Sequence, residues 1–172
     1  GNIGIRVKES VLEHIAFDKK NEQGYISYTF NNLNAIQEES LSPHFRDIAP
    51  LVRFAPDKFH LAGVNGQADN WKDFGKWIYD YLLAGLDELS SETRLKIQTL
   101  VQGVEDPVER ARLVYKYMQD KTRYISVQIG IGGWKPMSAS EVDRLGYGDC
   151  KALTNYTSSL LKAAGVPSYY TI

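Results

Sequence analysis

The 172 residues are 43% hydrophobic and 24% charged, with a formal net charge of −1. Such a chain folds around a packed core, which excludes wholesale disorder, and its charge gives no argument for a nucleic-acid partner. The single cysteine excludes an internal disulfide, and no apolar run approaches the ~20 residues that span a bilayer.

The chain opens on Gly1 instead of Met. We read it as a piece of a longer protein, with Gly1 a remnant of tag removal and any leader or anchor cut away with the missing N-terminus. The first 65 or so residues are predominantly strand-like. Ile3 to Lys8 alternates with period two. Val11 to Phe17 and Gly24 to Phe30 flank the polar segment Asp18 to Gln23, which predicts a hairpin with its turn there. Leu51 to Ala55 is a further short strand closed by Pro56, and Ala62 to Asp69 reads as a loop.

From Asn70 the period changes to that of a helix. Trp71, Phe74, Trp77, Ile78, Tyr81 and Leu82 recur at helical spacing behind Asp69 or Asn70 as the cap, a stripe that reads as core and not as a ligand platform. Ser91 to Gln102 is a second helix, stopped by Gly103. Asp106-Pro107-Val108-Glu109 opens a third with a cap, a first-position proline and a capping-box-like pair. Its apolar face is Val108, Ala111, Val114, Tyr115 and Met118. Arg123 to Gly130 is β-like, and Gly130 to Pro136 forms a glycine-rich loop that lacks the Gly-Lys-Ser/Thr of a phosphate loop. Ser138 to Glu141 is a capping box opening a short helix that ends at Gly146. After Tyr147-Gly148-Asp149-Cys150, a strong helical pattern places Cys150, Leu153, Thr157, Leu160, Leu161 and Ala164 on one face. Gly165 and Pro167 end it, and Ser168 to Ile172 begins a strand.

Cys150 is the residue that carries chemistry. It stands in the first turn of its helix, where unpaired backbone N–H groups and the positive end of the dipole favour a thiolate, the form that attacks carbonyls. Gly148 permits a tight run-in and Asp149 is the natural cap. Against this stands the ordinary reading of a lone cysteine on an apolar helix face, a small buried core residue.

The segment Tyr147 to Lys151, with Leu153 and Leu160 to Pro167, closely resembles the core motif of bacterial transglutaminase-like domains, which are related to papain. In that family a Gly-Asp-Cys turn feeds the nucleophile helix, which ends in Ala-Ala-Gly and a proline before the next strand. Arg123 to Val127, Gly132 to Pro136 and Ser138 to Val142 are also similar, so the resemblance runs from about residue 104 to the end. Before it, Leu33 to Ile36, Ile48 to Pro50 and Trp71 to Trp77 look like the β-rich domain of unknown function that often precedes such domains in proteins of the Bacteroidetes type.

The resemblance implies an α+β chain: a β-rich part over 1–68, a helical connector over 69–103, and over 104–172 the N-terminal half of a papain-like, transglutaminase-like domain. It implies acyl transfer through a Cys150 thioester with a peptide or protein substrate. Asp149 would orient the helix, and Trp134 or Gln128 would supply an oxyanion donor beside the Cys150 N–H, while Tyr147 and Lys151 line the site. Trp134 has the alternative of packing on the helix. Many members carry an acidic residue where Ala152 stands, a departure that leaves the nucleophile and its turn intact. The family places a His and then an Asp after the nucleophile helix, but His14, His44 and His60 all precede Cys150 and read as surface or loop residues. The triad is therefore expected to be incomplete in this chain, and the chain inactive alone. No cofactor and no metal are expected, since one Cys and three dispersed His form no ligand cluster. The resemblance also implies export to a bacterial envelope. Two alternatives stay open: a non-catalytic module that binds peptide or glycan, and a structural piece that dimerises through the edge at Ser168 to Ile172.

Overall fold

The protein is described by a computed structural model covering residues 4–12, 14–37, 39–61 and 63–171. The readings made at Gly1, Ile3, Glu13, Ala62 and Ile172 fall outside those residues. Helix and strand are mixed, the strands in four two-stranded pairs. The chain forms two compact units, residues 1–58 and 59–172.

In the first unit, β1 (Ile5–Ser10) pairs antiparallel with β4 (Leu51–Pro56), from Ile5 opposite Pro56 to Ser10 opposite Leu51. Between them lie β2 (Phe17–Glu22), β3 (Tyr25–Phe30) and a short helix α1 (Phe45–Ile48). The β2–β3 hairpin corrects the predicted turn: Asp18 to Glu22 are strand, and the connection is only Gln23-Gly24, with Gly24 at φ 100. A two-residue hairpin turn needs a positive φ, which glycine supplies, and an exposed strand tolerates the polar run that suggested a loop. Glu9 on β1 accepts from Lys19 (2.7 Å) and Tyr28 (2.6 Å), and the Tyr28 and Phe54 rings lie 6.0 Å apart, so the two ladders are joined. None of the described residues of this unit is fully buried.

The second unit opens with the hairpin of β5 (Lys58–Leu61) and β6 (Val64–Gln67), which replaces most of the predicted loop. α2 (Trp71–Ile78) follows, capped by Asn70, whose Oδ1 accepts from the Asp73 N–H at 3.0 Å. Its last turn, Tyr79–Leu83, is π-helical instead of continuing the α-helix. Trp77, Ile78 and Leu82 are buried with Phe59, Leu61, Val64 and Phe74 around them, whereas Trp71 is 84% exposed. The stripe is thus core at Trp77, Ile78 and Leu82, with Phe74 packed against them and Trp71 and Tyr81 exposed.

The larger core joins four helices: α3 (Ser91–Leu100), α4 (Pro107–Lys121), α5 (Ala139–Leu145) and α6 (Cys150–Ala163). It contains Ile97, Val101, Val114, Met118, Ala139, Val142, Ala152, Tyr156 and Leu160. Two predicted faces are rotated. On α4, Val108 and Tyr115 are exposed while Val114 and Met118 point inward. On α6 the inner stripe is Ala152, Asn155, Tyr156, Ser159 and Leu160, and Cys150 is exposed. Polar Asn155 and Ser159 can be buried because they are satisfied, Asn155 Nδ2 donating to Leu86 O and Ser159 Oγ to Asn155 O, each at 2.8 Å. Pro107 and the Asp106 cap stand as predicted, but Glu109 pairs with Arg112 (3.6 Å) instead of closing a capping box. The box at Ser138 and Glu141 is present.

The helices are also tied by one polar cluster. Asp143 accepts from Thr93 Oγ1 (2.7 Å), Lys121 Nζ (2.5 Å) and Tyr156 OH (2.6 Å), linking α5 to α3, α4 and α6. Of the predicted strand from Arg123, only β7 (Arg123–Tyr124) pairs, and Gly130–Gly133 is a single 3₁₀ turn. Residues 166–171 are irregular instead of strand. Gly146 ends α5 at φ 68, and a Cβ built there would stand 3.2 Å from Lys121 O. Gly146→Ala is expected to lower stability by about 1–2 kcal/mol, measured by urea unfolding.

Candidate active site

The run-in to Cys150 is held on both sides. β8 (Tyr147–Gly148) lies parallel to β7, with Arg123 opposite Tyr147 and Tyr124 opposite Gly148. Arg123 N–H donates to Gly146 O (3.1 Å) and Ile125 N–H to Gly148 O (3.0 Å), so the backbone entering the helix is pinned by main-chain bonds. Gly148 is required here by contact: a Cβ would stand 2.9 Å from the Ala152 Cβ and 3.4 Å from Leu153 Cδ2. The sequence reading had assigned this glycine to the tight turn; the structure adds a steric reason, the first turn of α6 packed against it.

Asp149 is the next residue, 2% exposed. Its Oδ1 accepts from the Ala152 N–H (2.9 Å) and its backbone carbonyl from Leu153 N–H (2.9 Å), so it caps α6 as expected. Its other oxygen is bonded to Lys151 Nζ, whose side chain is only 14% exposed. That buried ion pair was not read from the sequence, where Lys151 only lined the site. The signal was present in the adjacent Asp-Cys-Lys order, but side-chain direction around a helix start is not visible in one dimension.

With the cap and its ion pair turned inward, Cys150 is left on the outside. The ordinary reading of a buried core cysteine does not fit this placement. The N–H groups of Cys150 and Lys151 have no intrahelical acceptor, as for any first turn. The arrangement offers an exposed thiol in the first turn of a helix, which suits a group that attacks a carbonyl.

The other sequence candidates are placed as follows. Trp134 closes the 3₁₀ turn, its N–H donating to Ile131 O (2.8 Å), and is 50% exposed. Gln128 is exposed, and its carbonyl oxygen lies beside Gly133. Among the described residues no hydrogen bond links either of them to Cys150. His44 caps α1 through its ring, accepting from Arg46 N–H at 3.3 Å, and His60 pairs with Asn65 Oδ1 at 2.8 Å across the β5–β6 hairpin. Tyr170 was missed by sequence reasoning. It is half-buried, and burial, then the charges of Cys150 and Asp149, hold its phenol above the usual tyrosine range.

Among the described residues, no three His, Cys, Asp or Glu side chains group to hold a metal ion. No helix among them is long and apolar enough to cross a membrane.

Comparison with known proteins adds two findings. Residues 96–172 match the family model of the transglutaminase-like superfamily, somewhat upstream of the residue 104 at which the sequence resemblance begins. The chain is also similar to the crystal structure, at 2.00 Å resolution, of a candidate protease from Parabacteroides distasonis ATCC 8503. The TM-score is 0.62 at 15% identity, over 96% of this chain and 30% of that one. At that identity the likeness is one of fold, and this chain spans about a third of its length. No curated protein matches the sequence.

Proposed function

We propose that the chain carries the nucleophile side of a thiol-dependent acyl-transfer site of the transglutaminase-like, papain-related kind. The observation that supports this is an exposed Cys150 placed directly behind a buried, ion-paired helix cap. In this reading Cys150 Sγ attacks a peptide amide carbonyl, the C–N bond breaks, the amine leaves with a proton, and the acyl group stays on sulfur as a thioester. Water then cleaves the thioester, releasing a carboxylic acid and returning the thiol. An amine in place of water would give a new amide, but the candidate protease of similar fold favours hydrolysis.

Trp134 or Gln128 is the side-chain oxyanion donor in this reading, beside the Cys150 N–H. The proton transfers need a base. His44 and His60 are engaged locally, and the resemblance assigns that role to a His followed by an Asp beyond α6. We extend the resemblance to location as well, placing the whole protein in a bacterial envelope.

The test is alkylation of Cys150 by iodoacetamide in the folded and the urea-unfolded chain at pH 7. The folded chain is expected to react roughly tenfold faster. Reaction that begins only on unfolding would sink the assignment. A second reading, a non-catalytic module for peptide or glycan, draws on the Phe17, Tyr28, Phe30 and Phe54 rings clustered in a unit none of whose described residues is buried. Cys150→Ala would leave such binding unchanged and would abolish an enzyme.

A further inference from the structure

The connection from the π-helical turn to α3 is fixed on either side of two acidic residues. Leu86 O accepts from Ala139 N–H and from Asn155 Nδ2, each at 2.8 Å, which ties it to α5 and α6. Leu89 is buried in the larger core. Asp87 and Glu88 stand between these anchors and line a cavity of about 380 Å³. Arg94 and Gln98 line it from one face of α3, and Ser159, Lys162 and Ala163 from one face of α6. A space of that size holds a small ligand.

The lining is specific in its charges. Ser159 is buried and its Oγ donates to Asn155 O (2.8 Å), so its proton is engaged. The polar groups left to a ligand are Gln98 and four charged residues, two of each sign. Lys162 Nζ meets Asp87 Oδ2 at 2.8 Å, so these two neutralise each other. Arg94 and Glu88 remain: among the described residues neither side chain forms a hydrogen bond or an ion pair. They line the same cavity as an unpaired cation and an unpaired anion. The Arg94 charge reaches the others. Donation from Lys162 holds the Asp87 carboxyl below its usual range and Arg94 adds to this, while Asp87 holds the Lys162 ammonium up against the opposing Arg94. With the four charges summing to zero, a simple anion or cation gains little here. A molecule carrying both signs meets one pole for each.

We propose that this cavity is a binding site for a small zwitterion of dipeptide size, its free carboxylate on Arg94, its free ammonium on Glu88 and its peptide group at Gln98. A guanidinium takes a carboxylate through two parallel N–H···O bonds. A glutamine amide offers a donor and an acceptor together, the same pair that a peptide group presents. Leu89 and Ala163 leave the remaining lining apolar and suited to small side chains. From Cys150 to Ser159 the helix rises about 14 Å, so the site is separate from the thiol and stands independently of the reading of Cys150.

The experiment is calorimetric titration of the folded chain with alanyl-alanine, with its N-acetylated form and with its C-terminal amide. Saturable binding is expected for the free dipeptide. Each blocked form is expected to bind roughly tenfold or more weakly, the loss that goes with one charge-assisted hydrogen bond. Arg94→Gln and Glu88→Gln, both at exposed positions, should each weaken the free dipeptide by a similar factor. Glu92→Gln, on the same helix as Arg94 and outside the cavity, should leave it unchanged. No saturable binding of the dipeptide, equal binding of its blocked forms, or binding that both cavity variants leave intact would overturn the proposal. Should a variant fail to fold, the three peptides on the parent chain decide. The iodoacetamide reaction of Cys150 is expected to be the same in the parent and both cavity variants, so failure of the thiol assignment and failure of this site are read separately.

Discussion

Asp149→Ala is expected to destabilise the second unit by about 3–5 kcal/mol, the usual cost of removing one member of a buried ion pair. Three losses fall on one side chain. The Ala152 N–H loses its acceptor, Lys151 keeps a charge in a place only 14% exposed, and the helix start loses an anion at its positive end. Lys151→Met leaves the cap in place but strands the Asp149 carboxylate, whose side chain is only 3% exposed, so its cost should be comparable. The double variant should then be more stable than the sum of the two losses requires, since the stranded ammonium is gone. Urea unfolding of the four chains measures the cycle. A cost for Asp149→Ala no larger than that of an ordinary cap, about 1 kcal/mol, would show that Lys151 reaches water once released.

Asp143→Asn is the second substitution with a large expected effect, about 2–3 kcal/mol at neutral pH from charge-assisted bonds lost or weakened at once. Its pH dependence carries a sign. Burial pushes the Asp143 carboxyl up, but donation from Lys121, Tyr156 and Thr93 outweighs it, and the net direction is down. A carboxyl held lower in the folded than in the unfolded chain contributes stability that is complete above the unfolded value of about 3.9. That contribution is lost as pH falls through the folded value. The gap in unfolding midpoint between the parent and Asp143→Asn should therefore be widest at neutral pH and should close below about pH 4. For Lys121, burial pushes the ammonium down and Asp143, with Tyr117, more than offsets it, so its share is lost only on the strongly alkaline side. A gap that widened in acid would show that Asp143 is not the group responsible.

How much of this was legible in one dimension depends on whether the signal is local. The Ser138 capping box, the Asp106 cap with Pro107, and the Asp149 cap before Cys150 are set by groups within three residues, and each stands where the spacing puts it. The face that a helix buries is set by its neighbours. The large apolar Val108 and Tyr115 are outside α4, while Asn155 and Ser159 are inside α6 because Leu86 O and a helix carbonyl satisfy them. The hairpin turn at Gln23-Gly24 was hidden by polar residues that a strand with a solvated face accepts. At the candidate site, Cys150 and Asp149 were readable from their order and helix position. Lys151 as an ion-pair partner was not, since that depends on rotamer.

The pairing of β1 with β4 has a consequence in time. Ile5 meets Pro56 and Ser10 meets Leu51, so on a ribosome the first strand emerges long before its partner exists. The β2–β3 hairpin, closed by two residues, can form within microseconds of leaving the tunnel. At about 5–20 residues per second, β1 then waits seconds with its N–H and C=O groups free. The helices that carry Cys150 are synthesised later still, and their ties are also long-range, Asn155 reaching Leu86 and Asp143 reaching Thr93. Within its own unit, β1 is thus the strand most dependent on protection while it waits.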